Sequence, residues 1–417
     1  MADIIPVHKK DNTSDKANYR LISILPTVSK DFEKLVLKDY QACVDKSGKV
    51  GAILMDLSKA YDCLPHDLLI AKLSAYGIGR KSLRFLYSYL TSRKHRVKIG
   101  SSISEWLEVF LGVPQGSILG PILFNIFIND LLFSIEKCDI CNFADDNSLY
   151  DCDDTFNKVL SRLNFDLRLI IDWFHCNSMV ANPEKFQVIF LGNKNNNEFS
   201  LNINDIVLNN SATVKLLGVV IDDKLSFIPQ IIEICNKTDN ATNGLLRIRR
   251  NLTREKAELL NNAYILSRFN YCPLIWMFCG KKGNSLINKT HKRALRVVLN
   301  DFSSPLEELL QQIDGKTIHH TNLCKLLNEV YKSVNSLNPK FMWDIFTHKV
   351  SYYNLRGGKS LDIPSVKSSI GHNSVHFRGS LAWNGLKKDI KEAPSLTHFK
   401  TGITKLKKIY CRCKICT

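Results

Sequence analysis

Hydrophobic and polar positions follow different patterns in the two parts of this chain. Over residues 1–225, short apolar runs typical of buried strands, such as 50–55 and 186–191, alternate with stretches in which apolar residues recur at the spacing of one helix face. Beyond Phe227 the pattern is almost wholly helical and basic. Strands mixed with helices, followed by helices alone, predict an α+β fold with a mostly helical C-terminal part.

Local signals place individual elements within this pattern. Pro65 opens a predicted helix that Gly77 ends, because proline suits the first turn of a helix and glycine the position after its last turn. Alternating apolar residues over 199–221 predict a strand hairpin. The other predicted elements are helices near 29–37, 81–90, 118–132 and 156–176, and strands at 50–56, 94–99 and 186–191.

Two adjacent carboxylates, Asp145 and Asp146, lie between short apolar runs. Neighbouring aspartates disfavour a strand interior, but at the tip of a tight hairpin, with Asn147 helping the turn, both could face one site and share divalent cations. A third carboxylate, Asp56, ends another apolar run. Three carboxylates at strand ends suit phosphoryl transfer with two metals about 3.5–4 Å apart. The alternative interpretation of an isolated Asp-Asp pair is a solvated turn.

Composition adds an expectation about partners and location. The 57 Lys and Arg residues outnumber the 40 Asp and Glu residues and give a net charge of +17, which indicates a polyanionic partner. The 13 cysteines are mostly isolated, which is typical of free thiols in a reducing compartment. The sequence shows no secretory signal and no apolar window long enough to span a bilayer. We therefore expect an intracellular protein of the nucleus and cytoplasm with no membrane partner.

Three motifs then occur in a fixed order, MDLSKAYD at 55–62, GVPQGS at 112–117 and FADD at 143–146. Together they closely resemble the reverse transcriptases of non-LTR retrotransposons of the jockey-like kind. The resemblance covers residues 1–225 and extends more loosely into the C-terminal region. The further segments that carry it are NYR at 18–20, residues 173–185, KLLGV at 215–219, YNLR at 353–356 and WN at 383–384.

The resemblance implies a right-hand polymerase fold, with fingers and palm in residues 1–225, a helical thumb-like region in 226–300 and a basic C-terminal region of unknown role in 301–417. It also implies an RNA-directed DNA polymerase, which transfers deoxynucleoside triphosphates onto a DNA primer paired with an RNA template. The three aspartates would hold two Mg²⁺ ions, with Mn²⁺ as a substitute, since such hard cations prefer oxygen ligands. One ion would activate the primer hydroxyl, and the other would neutralise charge on the triphosphate.

Other site residues follow from the same resemblance. Tyr61 would exclude a ribose 2′-hydroxyl, although a core aromatic is the alternative. Gln115 would contact the template or the nucleotide, and Gly116 would allow close backbone approach to it. Lys185 would assist the leaving pyrophosphate, unless it is a solvated side chain beside a strand. Leu217 and Gly218 fit a primer-grip hairpin, for which an ordinary hairpin turn is the alternative.

The basic residues of the thumb-like region would lie along the duplex backbone, or else form a solvated face. They form two clusters, Arg247, Arg249, Arg250, Arg254 and Lys256, and Lys289, His291, Lys292, Arg293 and Arg296.

Two departures from the family leave a second function open. The run between Leu37 and Gly51 is short where the family carries a longer fingers segment, and the endonuclease domain of full-length elements is not found. The chain could therefore be an inactivated relic that only binds nucleic acid. The sequence does not indicate the oligomeric state.

The cysteine-rich end of the chain suggests a zinc-binding site. Cys411, Cys413 and Cys416 are the candidate ligands, with His398 as a fourth. The spacing departs from common closed zinc sites, so we favour an incidental cluster.

Overall fold

The computed structural model describes residues 2–4, 7–8, 19–20, 48–57, 59–114, 116–192, 198–203, 206–349, 360–413 and 415. The described chain divides into two compact units, of which the first ends at Val214 and the second includes everything from Lys215 onward. Several sequence predictions lie outside the described residues, namely the helix near 29–37, most of the short run before Gly51, Gln115, the motif at 353–356 and Cys416.

The first unit is built around strands. They are β1 (Ala2–Ile4), β2 (Val7–His8), β3 (Tyr19–Arg20), β4 (Lys49–Asp56), β5 (Arg93–Ile99), β6 (Ser102–Ile103), β7 (Leu107–Val109), β8 (Asp139–Phe143), β9 (Asp146–Asp153), β10 (Gln187–Leu191), β11 (Ser200–Ile203) and β12 (Ile206–Asn209). An antiparallel sheet has the order β10-β4-β9-β8. A second sheet joins β5 to β1 in parallel and to β6 and β7 in antiparallel fashion.

Among the described residues, the first unit has four α-helices, α1 (His66–Ala75), α2 (Arg80–Leu90), α3 (Leu119–Ile128) and α4 (Phe156–Cys176). Short 3₁₀ turns stand at Ala60–Asp62, Asn129–Ser134 and Pro183–Lys185. These elements confirm the sequence predictions, and α4 has the predicted bounds. The helix predicted over 118–132 is divided, since its last turns are 3₁₀.

The core of the first unit lies between the antiparallel sheet and helix α4. Residues 50–55 of β4 are all buried, so this strand is covered on both faces. A Cβ atom at Gly51 would lie 2.7 Å from the side chains of Val159 and Leu163 and 2.8 Å from that of Phe190. Glycine at this position therefore lets α4 pack directly on the strand that ends at Asp56.

The prediction of a single hairpin over 199–221 is wrong, because the structure forms two hairpins there. Strands β11 and β12 pair with each other, and a separate pair follows, β13 (Thr213–Leu216) and β14 (Val219–Asp222). The polar residues 209–212 separate the two pairs. Alternation of apolar residues continues through both, so periodicity alone does not show the break.

From Ile228 onward the described chain is helical, as predicted. Its α-helices are α5 (Ile228–Ile248), α6 (Arg254–Leu260), α7 (Pro273–Trp276), α8 (Gly280–Leu299), α9 (Leu306–Gln312), α10 (Ile318–Val334), α11 (Ser369–His372), α12 (Val375–Asn384), α13 (Lys388–Lys391) and α14 (Leu396–Thr404). A large core cluster contains Trp383 and Phe399, with Tyr331 stacked on Phe399 at 4.4 Å between ring centroids. None of the helices in the described ranges is long and apolar enough to cross a membrane.

Candidate active site

The antiparallel register brings two of the predicted carboxylates together. Asp56 is the last residue of β4, Asp146 is the first residue of β9, and the two are direct cross-strand partners. Asp145 occupies the turn between β8 and β9, so all three aspartates lie at one end of the sheet. Like charges placed directly opposite each other destabilise a strand pair, so this arrangement favours a site that binds cations.

The turn that carries Asp145 is tight. Strands β8 and β9 are joined through Ala144 and Asp145, and Ala144 has a φ of 51°, as primed hairpin turns require at their first central residue. The Asn147 side-chain amide donates a hydrogen bond of 3.2 Å to the Asp145 carbonyl oxygen. The predicted role of Asn147 in the turn is thereby confirmed. Asp146, by contrast, starts the strand and is not part of the turn tip.

A buried carboxylate fixes the chain that leads into this hairpin. Asp166 of α4 is fully buried and accepts backbone N–H groups from Glu136, Lys137 and Cys138 at 3.2, 2.8 and 2.6 Å. Because β8 begins at the next residue, Asp166 positions the hairpin relative to the helix. Sequence reasoning missed Asp166, which looks like an ordinary polar residue of an amphipathic helix.

Lys185 approaches the same end of the sheet from the 3₁₀ turn Pro183–Lys185. Its ammonium nitrogen lies 3.7 Å from Asp56 Oδ2, and both side chains are about half exposed. An ion pair this exposed contributes little to stability. The lysine is therefore placed beside the carboxylates without being fixed to them, and its role toward the pyrophosphate stays a prediction.

The glycine-rich motif is held against the segment that follows Asp56. The N–H groups of Gly112 and Val113 donate to the carbonyl oxygens of Leu64 and Tyr61 at 2.8 and 2.9 Å. Gly112 has a φ of 77°, and a Cβ atom there would lie 2.7 Å from the Tyr61 carbonyl oxygen. Glycine is required at this position both by its backbone conformation and by this contact.

Two side chains that sequence reasoning missed hold the same loop. Arg93 Nη2 donates to the Gly112 carbonyl oxygen at 2.6 Å, and His66 Nε2 lies 2.9 Å from that oxygen. His66 is buried, and its nitrogen lies 3.4 Å from the arginine. These contacts link residues 19 and 46 positions apart in sequence. No local pattern reveals partners so distant.

The end of the glycine-rich motif leads into helix α3. Ser117 Oγ donates to the Pro114 carbonyl oxygen at 2.7 Å and accepts the N–H of Gly120 at 2.9 Å, which satisfies a first-turn donor. Gly116 has a φ of 82° and is exposed. The approach of a substrate to this glycine stays a prediction, and Gln115 lies outside the described residues.

Tyr61 lies between the core and the carboxylates. Its ring stacks on the fully buried Phe124 at 4.5 Å between centroids. Burial, with a further contribution from the negative charge of Asp145, raises the pKa of Tyr61 to about 12. The hydroxyl is therefore neutral at physiological pH. The ring therefore packs on the core with one face and lies near Asp145, and its exclusion of a ribose hydroxyl stays a prediction.

Leu217 and Gly218 form the turn between β13 and β14 and belong to the second unit. Both have left-handed backbones, with φ values of 47° and 86°. The Tyr271 hydroxyl donates a hydrogen bond to the Leu217 carbonyl oxygen, and a Cβ atom at Gly218 would lie 3.3 Å from that hydroxyl. The predicted hairpin turn is therefore present, and a tyrosine of the helical unit supports it.

The first basic cluster is only partly available to a partner. Arg249 donates to the carbonyl oxygens of Val297, Val298 and Leu252 at 2.9–3.0 Å, so it serves the packing of helices. Arg254 pairs with Glu258 at 2.8 Å. The other three members, Arg247, Arg250 and Lys256, are exposed.

The second basic cluster contains a residue that is not basic in the fold. His291 is buried, and burial lowers its pKa to about 4, so it is neutral at physiological pH. Arg293 pairs with Asp239 at 2.7 Å. Arg296 donates to the Ser303 and Ser304 carbonyl oxygens at 3.3 and 3.2 Å. A run of basic residues on a helix does not show which of their side chains face the core. The prediction from this run therefore overestimated the charge at the surface.

Comparisons with known proteins agree with the geometry. Residues 7–221 match a protein-family model described as "Reverse transcriptase (RNA-dependent DNA polymerase)". The chain is 24% identical over 351 residues to "Probable RNA-directed DNA polymerase from transposon BS" of Drosophila melanogaster, a match that covers 72% of this chain and 38% of that protein. It is 25% identical over 276 residues to "RNA-directed DNA polymerase from mobile element jockey" of the same organism, which covers 56% of this chain and 30% of the relative.

Solved telomerases are also similar. A telomerase from Candida tropicalis in complex with a fragment of telomeric RNA matches with a TM-score of 0.34 and 12% identity, over 72% of this chain and 54% of that one. The matches to the two transposon relatives span well under half of the length of those proteins.

Proposed function

Because the chain belongs to the reverse transcriptase (RNA-dependent DNA polymerase) family, among relatives from non-LTR retrotransposons, we propose that it extends a DNA primer on an RNA template. Deoxynucleoside triphosphates would be the substrates. The observation that carries the proposal is the cross-strand pairing of Asp56 with Asp146, with Asp145 in the adjoining turn. Three carboxylates at one end of a sheet repel one another, and bound divalent cations would relieve that repulsion.

The donor set fits divalent cations of the hard type. Asp56, Asp145 and Asp146 offer carboxylate oxygens alone, which suits Mg²⁺ and also Mn²⁺. Two such ions supply charge neutralisation at the triphosphate and a lowered pKa for the primer hydroxyl. Ala144 and Asn147 fix the turn, so the backbone of Asp145, from which its carboxylate projects, is positioned before substrate binds.

The remaining residues of the proposed site orient the nucleotide and its leaving group. Lys185, 3.7 Å from Asp56, brings a positive charge and a proton to the departing pyrophosphate. The ring of Tyr61, supported by Phe124, limits the space beside the sugar. The loop of Gly112 and Gly116, held by Arg93, would present its backbone to the base pair being formed. Gln115 of the same motif would contact the template or the nucleotide. Leu217 and Gly218 would contact the primer strand.

Primer extension by an Asp145→Asn variant tests the proposal. Extension should fall about a thousandfold, because several kcal/mol of charge stabilisation are lost with one anionic ligand. Binding of template–primer, measured by fluorescence anisotropy, should stay within about twofold, because an anion close to phosphates does not contribute attraction. Asp139→Asn is the matched control, since Asp139 is exposed at the opposite end of the same hairpin.

Two outcomes would contradict parts of this proposal. Undiminished extension by Asp145→Asn would overturn the site assignment. A wild-type chain that binds template–primer in Mg²⁺ or Mn²⁺ and yields no extension would favour the alternative, an inactivated element protein that only binds nucleic acid.

A further inference from the structure

Three soft metal-ligand side chains converge in the second unit, outside the proposed active site. His319 lies in helix α10, and Cys411 and Cys413 lie in the segment after α14. His319 Nε2 is 3.4 Å from Cys413 Sγ and 4.0 Å from Cys411 Sγ, and the two sulfur atoms are 3.1 Å apart. All three side chains are buried, with exposed fractions of 7%, 1% and 1%. Their donor atoms form a group within 4.8 Å of one another.

These separations are close to those around one tetrahedral ion. Zinc binds cysteine sulfur at about 2.3 Å and histidine nitrogen at about 2.0–2.1 Å. At a tetrahedral angle those bond lengths place sulfur about 3.6 Å from nitrogen and about 3.8 Å from a second sulfur. The two nitrogen–sulfur distances lie on either side of the expected value. The sulfur–sulfur distance needs to lengthen by less than an ångström, which a change of cysteine side-chain rotation provides.

The backbone around the thiols is held in an unusual conformation. Arg412, between the two cysteines, has a φ of 46°, a left-handed value that is uncommon outside glycine. The buried Arg378 donates to the carbonyl oxygens of Cys411 and Arg412 at 3.1 and 2.9 Å. The segment is therefore fixed with both thiols directed toward His319. Backbone conformations of this kind are frequent where a ligand is bound.

We propose that His319 Nε2 and the thiolates of Cys411 and Cys413 bind a zinc ion that joins the C-terminal segment to helix α10. Thiolates with an imidazole select zinc over the hard cations of the polymerase site. Binding releases both thiol protons and leaves the imidazole neutral, so the ion and its two thiolates carry no net charge in the core. This role is independent of polymerase activity.

The fourth position has a candidate in the same region. Cys279 is partly buried, and burial, with a smaller contribution from Cys413, raises the pKa of its thiol to about 12. Cys416, which sequence reasoning grouped with the other two thiols, lies outside the described residues. His398, the histidine suggested from the sequence, is exposed and bonded through Nδ1 to Ser395 Oγ at 2.8 Å. The sequence missed His319 because it precedes Cys411 by 92 positions.

The zinc content of the full 417-residue chain tests the proposal, after purification in reductant without chelator. We expect about one zinc per chain by elemental analysis. His319→Phe should reduce it to near zero, whereas His319→Cys should retain it, because a thiolate can replace the imidazole as a ligand. His398→Ala is the matched control and should keep wild-type zinc. Far-UV circular dichroism of each variant reports whether the helices have formed.

Cobalt substitution gives a second readout on the unmutated chain. Co²⁺ at this site should show tetrahedral d–d bands and sulfur-to-metal charge transfer, which weakens in Cys411→Ser and Cys413→Ser. Cys279→Ser tests whether this thiol is the fourth ligand by the same band. A helical wild-type chain without zinc, full zinc in a helical His319→Phe variant, or a Cys411–Cys413 disulfide found by mass spectrometry would each overturn the proposal.

Discussion

At the scale of one residue, Tyr61 combines a core contact with a place beside the proposed active site. Its ring stacks on Phe124 with a centroid distance of 4.5 Å, and its pKa is raised by burial and by Asp145. A ring supported from behind cannot retreat when a bulkier sugar enters. Packing against the core would thus support steric selection, so the two interpretations of this residue are compatible.

Tyr61→Ala should relax discrimination against ribonucleotides by about tenfold to a hundredfold, the range expected when a small steric contact is removed. Tyr61→Phe should keep the wild-type ratio, because exclusion depends on the ring and not on the hydroxyl. The measurement is the ratio of kcat/KM for deoxy- and ribonucleotides in primer extension. An unchanged ratio in a folded Tyr61→Ala variant would show that the ring serves the core alone.

The sequence identified some residues of the site and could not identify others. Asp56, Asp145 and Asp146 were found because each follows or interrupts an apolar run, which is a local signal. Arg93 was missed, because it donates a hydrogen bond to the glycine-rich loop from β5. That strand does not belong to the sheet that carries the aspartates. His291 was placed on a charged surface although it is buried, because helix position alone does not fix which side faces the core.

At the scale of elements, the position of the β8–β9 hairpin depends on helix α4. Asp166 accepts three backbone N–H groups from the residues immediately before β8, at 2.6–3.2 Å. A carboxylate is suited to this role because hydrogen bonds to a charged acceptor are stronger than neutral ones. The same helix packs on Gly51 of β4, so it supports both strands that carry the aspartates.

Asp166→Ala should lower the free energy of unfolding by about 3 kcal/mol, because the N–H donors lose a charged, buried acceptor. Asp172→Ala, on an exposed position of the same helix, is the control and should change stability by no more than about 0.5 kcal/mol. Urea denaturation followed by circular dichroism measures both. Equal stability of the two variants would mean that the hairpin does not depend on this acceptor.

Long helices and strands with a complete apolar run were predictable from the sequence. Short elements were not. The bounds of α4 and the buried strand ending at Asp56 follow from long, regular patterns. The β13–β14 hairpin was merged with the preceding one because the alternation of apolar residues continues through both, although a turn at Leu217 and Gly218 was predicted. The hydrogen bond that supports the turn comes from Tyr271, 54 positions away. Tertiary contacts of this kind are not encoded in a local window.

At the scale of the whole molecule, the net charge of +17 overstates what a nucleic acid would encounter. Arg249, Arg293 and Arg296 are used within the helical unit, as donors to carbonyl oxygens or as partners of a carboxylate. Arg247 and Arg250, in contrast, are exposed at the end of α5 and just beyond it. The basic residues of the two clusters therefore divide into those that hold the fold together and those that are exposed and could contact phosphates.

This division predicts how salt affects template–primer binding. Each phosphate neutralised contributes about −0.9 to the slope of log K against log salt on duplex DNA. Replacing both Arg247 and Arg250 by Ala should flatten that slope by up to about two, since two charges that face solvent are removed. Anisotropy titrations at several salt concentrations give the slope, and the loss should not depend on template sequence.

A charge-matched control separates this effect from net charge alone. Replacing Arg254 and Arg293 by Ala removes the same formal charge, but each is paired with a carboxylate, Glu258 and Asp239, at 2.8 and 2.7 Å. Their removal should change the slope by well under one, because an arginine that already has an anionic partner releases fewer counterions. If both double variants flatten the slope equally, binding responds to the total charge of the chain, and the surface around Arg250 has no special part in it.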